Sequence, residues 1–132
     1  MAVTLDRRSL GRGVATYLAI TVPSGIVVAL VGSSNSTGSA AVLAIAGVLI
    51  FAVAPLAAGF RAGSGQRAPY VHGGLSVALP ASAYLLVWLV DHLIRGKVNG
   101  ADVVTFLLYF LIEVGLGMLG GYLGFRRSRR AT

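Results

Sequence analysis

The sequence predicts an all-α integral membrane protein, four transmembrane helices in an antiparallel bundle, and three observations carry that prediction. Of its 132 residues, 56% are apolar and only 11% charged, whereas a soluble domain charges roughly a quarter of its residues. Four stretches, about 13–31, 40–60, 70–93 and 103–125, each supply the roughly 20 mostly apolar residues that a helix needs to cross the hydrocarbon core. The segments between them are short, so a single membrane domain is expected over residues 1–132.

The basic N-terminal segment, with Arg7, Arg8 and Arg12, leads into the first span. A signal peptide is the competing reading, with Gly38-Ser39-Ala40 as small residues for a peptidase. The apolar run exceeds a usual h-region and further spans follow, so the segment is expected to stay as a helix. Pro23 interrupts this span, and Thr21 and Ser24 stand near enough to satisfy a carbonyl that the proline frees. The uncharged stretch GSSNSTGS over 32–39 reads as a loop; it contains an Asn35-Ser36-Thr37 sequon, discounted in a bacterial chain. The second span ends in AVAPLAAGFR, with Pro55 and the small residues Ala54 and Ala58.

A Gly-rich turn, RAGSGQRAP over 61–69, carries Arg61 and Arg67. The third span has His72 near its start, Pro80 near its middle and Tyr84 and Trp88 toward its far end, as an interfacial aromatic belt would place them. Asp91 and Arg95 are spaced to pair across one helical turn. Asn99-Gly100 signals a turn, and Asp102 is expected to cap the last helix. That helix runs into Arg126, Arg127, Arg129 and Arg130, which are expected to anchor its end at the membrane surface.

Basic residues concentrate at both ends and in the middle turn, while the first loop has none and the third has Arg95 and Lys97. The positive-inside rule therefore places both termini in the cytoplasm. Ten of the eleven basic residues are arginine, and Ala, Gly and Val abound, which suggests a GC-rich bacterial genome and hence the inner (plasma) membrane. The net charge of +7 flanks apolar spans, so the expected partner is the lipid bilayer, not nucleic acid. With no cysteine, the chain has no disulfide, thiolate metal site or cysteine nucleophile.

The last span holds the one acidic residue inside an apolar segment, Glu113, followed by Gly117, Gly120, Gly121 and Gly124. The spacing puts Glu113, Gly117, Gly121 and Gly124 on one helix face. Antiparallel pairing of the third and fourth spans would set Gly74 opposite Gly121, Ala78 opposite Gly117 and Ser82 opposite Glu113. Such matched small residues let backbones approach closely in lipid. A carboxyl at the centre of a transmembrane helix costs about 2.5–3.5 kcal/mol on insertion scales, and no Lys or Arg lies at its depth. Glu113 is thus expected neutral and hydrogen-bonded, with Ser82, Thr21 or Ser24 as partner; a hydrogen bond tying helices together is the plainer role, a proton or cation relay the sharper one. His72 is expected to snorkel or to contact the helix start. Asp91 and His92 are two metal-ligand types without others at suitable spacing, and no nucleophile–base pairing or phosphate-binding motif is present. No catalytic residue, cofactor or metal is expected.

The stretches AAGFRAGSGQRAPYVHGGLSV and LGMLGGYLGFRR resemble the YrzE-like group, small four-pass bacterial membrane proteins. The resemblance rests on Gly59, Arg61, Gly63, His72, Gly73, Gly117, Gly120, Gly121 and Gly124. It implies a four-helix fold and assigns no activity.

Two functions are expected from these features. The first is a non-enzymatic accessory or stabilising subunit, docking by its glycine faces to another integral membrane protein in a transporter or respiratory assembly. The alternative is a small proton- or ion-coupled transporter or channel working as a homo-oligomer.

Overall fold

The computed structural model describes residues 4–32 and 38–130. Among them there is no strand, and four helices are long and apolar enough to cross a membrane: α1 (Arg7–Val31), α2 (Ser39–Gly63), α3 (Pro69–Ile94) and α4 (Gly100–Arg130). Most of the loop between α1 and α2, with Asn35, lies outside the described residues.

Several helix ends have a local cause. Asp6 opens α1, its Oδ1 accepting the Arg8 N–H at 3.0 Å, so the helix begins six residues before the apolar span does. Pro69 occupies the first turn of α3, where a missing N–H costs nothing. Gly96, at φ 63, closes α3 with its N–H on Leu93 O, and Lys97 N–H reaches His92 O. At the head of α4 the cap is Asn99, whose Oδ1 takes the Ala101 N–H at 2.9 Å. Asp102, expected in that role, lies in the first turn instead, where its charge still complements the positive helix end.

Pro23 and Pro80 are carried inside α1 and α3. The hydroxyls beside Pro23 do not reach the carbonyl that it frees: Thr21 donates to Tyr17 O and Ser24 to Ile20 O, each one turn back on its own helix. Pro55 acts differently. A proline cannot donate to the carbonyl four residues back, and α2 takes up the defect as a π turn over Leu49–Val53, with the Ala54 N–H on Leu49 O. The π turn divides α2. Its inner turns, Ala54–Gly63, pack against α1, α3 and α4, whereas its outer turns, Ser39–Val48, pack among the described residues on α1 and on no other long helix.

The inner half of the bundle is held by backbone meeting backbone. A Cβ on Gly59 would strike the Gly117 carbonyl, one on Gly63 would strike Gly121, and one on Gly120 or Gly124 would strike the carbonyl of Leu56 or Phe60. On the other side, Gly73 lies against Gly117 and Gly121, and Gly121 lies against Pro69. Apart from Tyr17, the buried apolar residues are correspondingly small, among them Ala54, Ala58, Ala62, Val77 and Ala81. Large side chains such as Leu30, Leu86, Val87 and Ile94 face outward, the inverse of a soluble core and the surface a lipid environment accommodates.

The α3–α4 contact exists, but one residue round the helix from the expected face. Pro69, Gly73 and Val77 meet the glycines of α4. Gly74 instead faces the side chains of Met118 and Val114, Ala78 is half-buried, and Ser82 turns its hydroxyl back to Leu79 O. The displacement has a physical cause: α4 must meet α2 as well as α3, and the face it offers α3 rotates to admit Gly59 and Gly63 on its other flank.

That register sets unequal costs for two neighbouring substitutions. Gly73→Ala drives a methyl into the α4 backbone and should destabilise by about 1–3 kcal/mol, the range for overpacking. Gly74→Ala meets no backbone, only Met118 Cγ at 3.0 Å on a flexible side chain and Val114 Cγ1 at an ordinary 3.7 Å, and should cost clearly less. Thermal unfolding of both variants in mild detergent measures the difference, and equal costs would contradict the register.

Candidate functional site

Glu113 is buried, 6% exposed, and is approached from across the bundle by Tyr17, 7% exposed. The Tyr17 hydroxyl donates to Glu113 Oε2 at 2.8 Å. The backbones of α1 and α4 do not pack together, since α2 and α3 meet between them. Among the described residues, a single side-chain hydrogen bond, Tyr17 to Glu113, is seen to join the two outer helices of the bundle. Glycine packing aligns its ends. Gly13 is wedged against Ala58, Ala62 and Ser76 while the neighbouring Gly59 meets Gly117. Tyr17 is one turn beyond Gly13, Glu113 one turn before Gly117, and the two come level. Ser9 adds a bond of its own, donating to Ala62 O at 2.6 Å.

Tyr17 replaces the partners expected for Glu113. Ser82, Thr21 and Ser24 each satisfy themselves on a carbonyl of their own helix. The sequence did contain a signal for Tyr17: Ser9, Gly13 and Tyr17 recur every four residues and line one face. Starting the first span at residue 13 placed Tyr17 near the membrane surface and hid the match.

Above this pair the bundle opens into a cavity of about 860 Å³. Its floor holds Glu113 and Tyr17, and its walls are apolar and aromatic, with Phe51 from the π turn, Pro80 and Tyr84 from α3, and Phe106 and Tyr109 from α4. The cavity exists because the outer turns of α2, among the described residues, pack on α1 and leave α3 and α4 uncovered there. Phe51 and Tyr109 stack with centroids 4.9 Å apart, bridging α2 to α4 at the level where the closed half gives way to the open one. Trp88 lies against Phe106 with centroids 4.1 Å apart, backing the wall of the chamber from outside.

A second polar cluster ties the opposite end. His72, 1% exposed, is a buried latch and does not snorkel. Its Nε2 accepts the Asp6 N–H at 3.0 Å, and its Nδ1 lies 3.0 Å from Ala68 O at the start of α3, which fixes the neutral tautomer with the proton on Nδ1. Gln66 donates to Asp6 Oδ2 at 3.1 Å. The Arg8 N–H, with smaller help from Ser9 and Gln66, holds the Asp6 carboxyl below its usual range. The carboxylate is the bonded form, so its support is present above the ordinary Asp range and fades as pH falls through the lowered value.

Some of the remaining polar residues have local partners. Arg95 Nε donates to Asp91 Oδ1 at 2.9 Å, the expected one-turn pair. Arg127 sits over the Phe60 ring and Arg129 over Phe125, while Arg126 and Arg130 lie along the same end of α4. No group of three or more metal-ligating side chains occurs among the described residues.

Fold and site together define a four-helix bundle of bilayer dimensions with a carboxyl–hydroxyl pair at the floor of an apolar chamber. No family model, curated protein or solved structure matches the chain.

The Tyr17–Glu113 bond predicts a non-additive pair of variants. Tyr17→Phe leaves the carboxyl buried without its donor and should cost about 0.6–1.7 kcal/mol. Adding Glu113→Leu removes the stranded group and should recover most of the loss. Unfolding in detergent checks both, and a silent Tyr17→Phe would show that the bond holds nothing.

Proposed function

We propose that the chain is a non-enzymatic, multi-pass protein of the plasma membrane, with both termini in the cytoplasm, and that it holds a small lipophilic molecule in the chamber above Glu113. One observation carries this reading. A buried, tyrosine-bonded carboxyl lines a cavity of about 860 Å³, within the 300–1,000 Å³ typical of small-molecule sites and with the same mixture of apolar wall and few polar groups. The distribution of arginine supports the orientation, because Arg7, Arg8, Arg61, Arg67 and the Arg126–Arg130 tail gather at one end of the bundle.

The two functions suggested by the sequence fare differently against this geometry. An accessory subunit drew its support from glycine faces free to receive a neighbouring protein. Those faces are filled by α2 and α3 of the same chain, so the stripe lends that role no support and the chamber carries the proposal. A coupled transporter would use the same Glu113 site, but the seam that would have to part for passage is the most closely packed portion of the bundle.

A chain without cysteine suits single-cysteine mapping. With an impermeant maleimide on intact cells, Val98→Cys should label and Ser128→Cys should label only after lysis; the reverse pattern would overturn the orientation. In liposomes, binding without transport predicts no proton or sodium flux above protein-free vesicles. Flux that Glu113→Gln abolishes would favour the transporter reading instead.

A further inference from the structure

The polar floor of the chamber has an unfilled valence. Glu113 is buried and lines the cavity, and its one hydrogen bond among the described residues is the Tyr17 hydroxyl on Oε2. Oε1 has none. No Lys, Arg or His lines the cavity, and a carboxylate without a cation in such surroundings would be far costlier than the neutral acid. With Oε2 accepting from Tyr17, the acid proton belongs on Oε1 and is offered to the chamber. A group that satisfies it must be an acceptor without a positive charge.

The walls add shape. Phe51, Phe106 and Tyr109 present aromatic surface, which favours a flat or chain-like apolar body against it. The outer turns of α2 stand clear of α3 and α4, so the chamber opens sideways, toward lipid, above the Phe51–Tyr109 pair. We infer that the chamber binds a lipid-soluble molecule bearing a carbonyl at one end, the carbonyl oxygen accepting from Glu113 Oε1 and the apolar body lying along the aromatic wall. This inference rests on the reading of the chamber as a binding site and names the chemistry of its occupant. Two sources share that chemistry, a prenylated quinone and an acyl-ester lipid.

Trp88 is the only tryptophan and touches the chamber wall through Phe106, so a quinone bound inside quenches it. The test uses the full chain in dodecyl maltoside, a detergent without a carbonyl, with three probes: a short-chain prenylated naphthoquinone, monoolein, and a prenylnaphthalene lacking carbonyls. The first is read by Trp88 quenching, the second by displacement of the third, which is itself fluorescent. Gly47 lines the chamber and a Cβ there meets nothing within 4 Å, so Gly47→Phe can enter the space without a backbone clash, and an unchanged thermal unfolding midpoint confirms that the fold is kept. Tyr17→Phe/Glu113→Leu removes both donors and keeps the shape, whereas Glu113→Gln retains a donor.

The expected result is saturable binding of the naphthoquinone, of monoolein or of both, the responding probe naming the source. Gly47→Phe abolishes it, the double variant weakens it by about tenfold, and Glu113→Gln stays within about threefold of wild type. Carbonyl probes that bind no better than the prenylnaphthalene, and are indifferent to the double variant, would overturn the carbonyl inference and leave the chamber as a site for plain hydrocarbon. Probes that ignore Gly47→Phe, or none that saturates, would overturn both.

Discussion

Everything in this bundle depends on how closely α4 can be approached. Gly117, Gly120, Gly121 and Gly124 reduce one side of that helix to bare backbone, and the carbonyls and Cα atoms of α2 and α3 lie directly against it. In lipid there is no hydrophobic drive to bring apolar helices together, so close van der Waals packing has to supply it. Side chains cannot intrude on such a seam. Most large apolar residues are therefore displaced to the outer surface, and the seam itself is left mainly to alanine, glycine and serine.

The same seam decides where the bundle is open. Packing of glycine on glycine holds α2, α3 and α4 together only as far as Gly59 and Gly117. Beyond that level α2 passes through its π turn and its outer turns follow α1. Separation of the helices leaves room for the chamber, and the Tyr17–Glu113 bond spans the transition between the two halves. A hydrogen bond between helices in a bilayer averages about 0.6 kcal/mol, too little to organise a fold. Its importance is positional: it places one acid, with one oxygen still unbonded, at the bottom of an otherwise apolar space. The far end is fixed separately by His72, which clasps the first turn of α1 through Asp6 and the first turn of α3 through Ala68.

Four long apolar helices were readable from composition and segment length, because crossing distance and hydropathy are properties of single segments. The glycines of α4 were readable too, since a four-residue spacing survives without any partner. The identity of the facing residues was not. Gly74, Ala78 and Ser82 form a plausible small-residue series, yet Gly73 meets the seam, because α4 has to satisfy two neighbours at once and pairwise matching considers one. Gly59 and Gly63 carry the same four-residue spacing, and Ala54, Ala58 and Ala62 extend it, so the second neighbour had left a trace. Tyr17 went unmatched because a helix boundary drawn at the first apolar residue ignores what Asp6 and two arginines do to extend it. The chamber had no sequence signal. It arises from the divergence of α2, which depends on a π turn that Pro55 permits but does not announce.

The central claim is that the glycine seam is the anchored half of the molecule and the outer turns of α2 are not. Hydrogen–deuterium exchange of the protein in nanodiscs, followed by mass spectrometry, addresses it most directly. The slowest exchange is expected in residues 56–63 and 117–124 and distinctly faster exchange in Ser39–Val48, with the change falling across Leu49–Val53. Uniform protection along α2, or outer turns that exchange more slowly than inner ones, would contradict it.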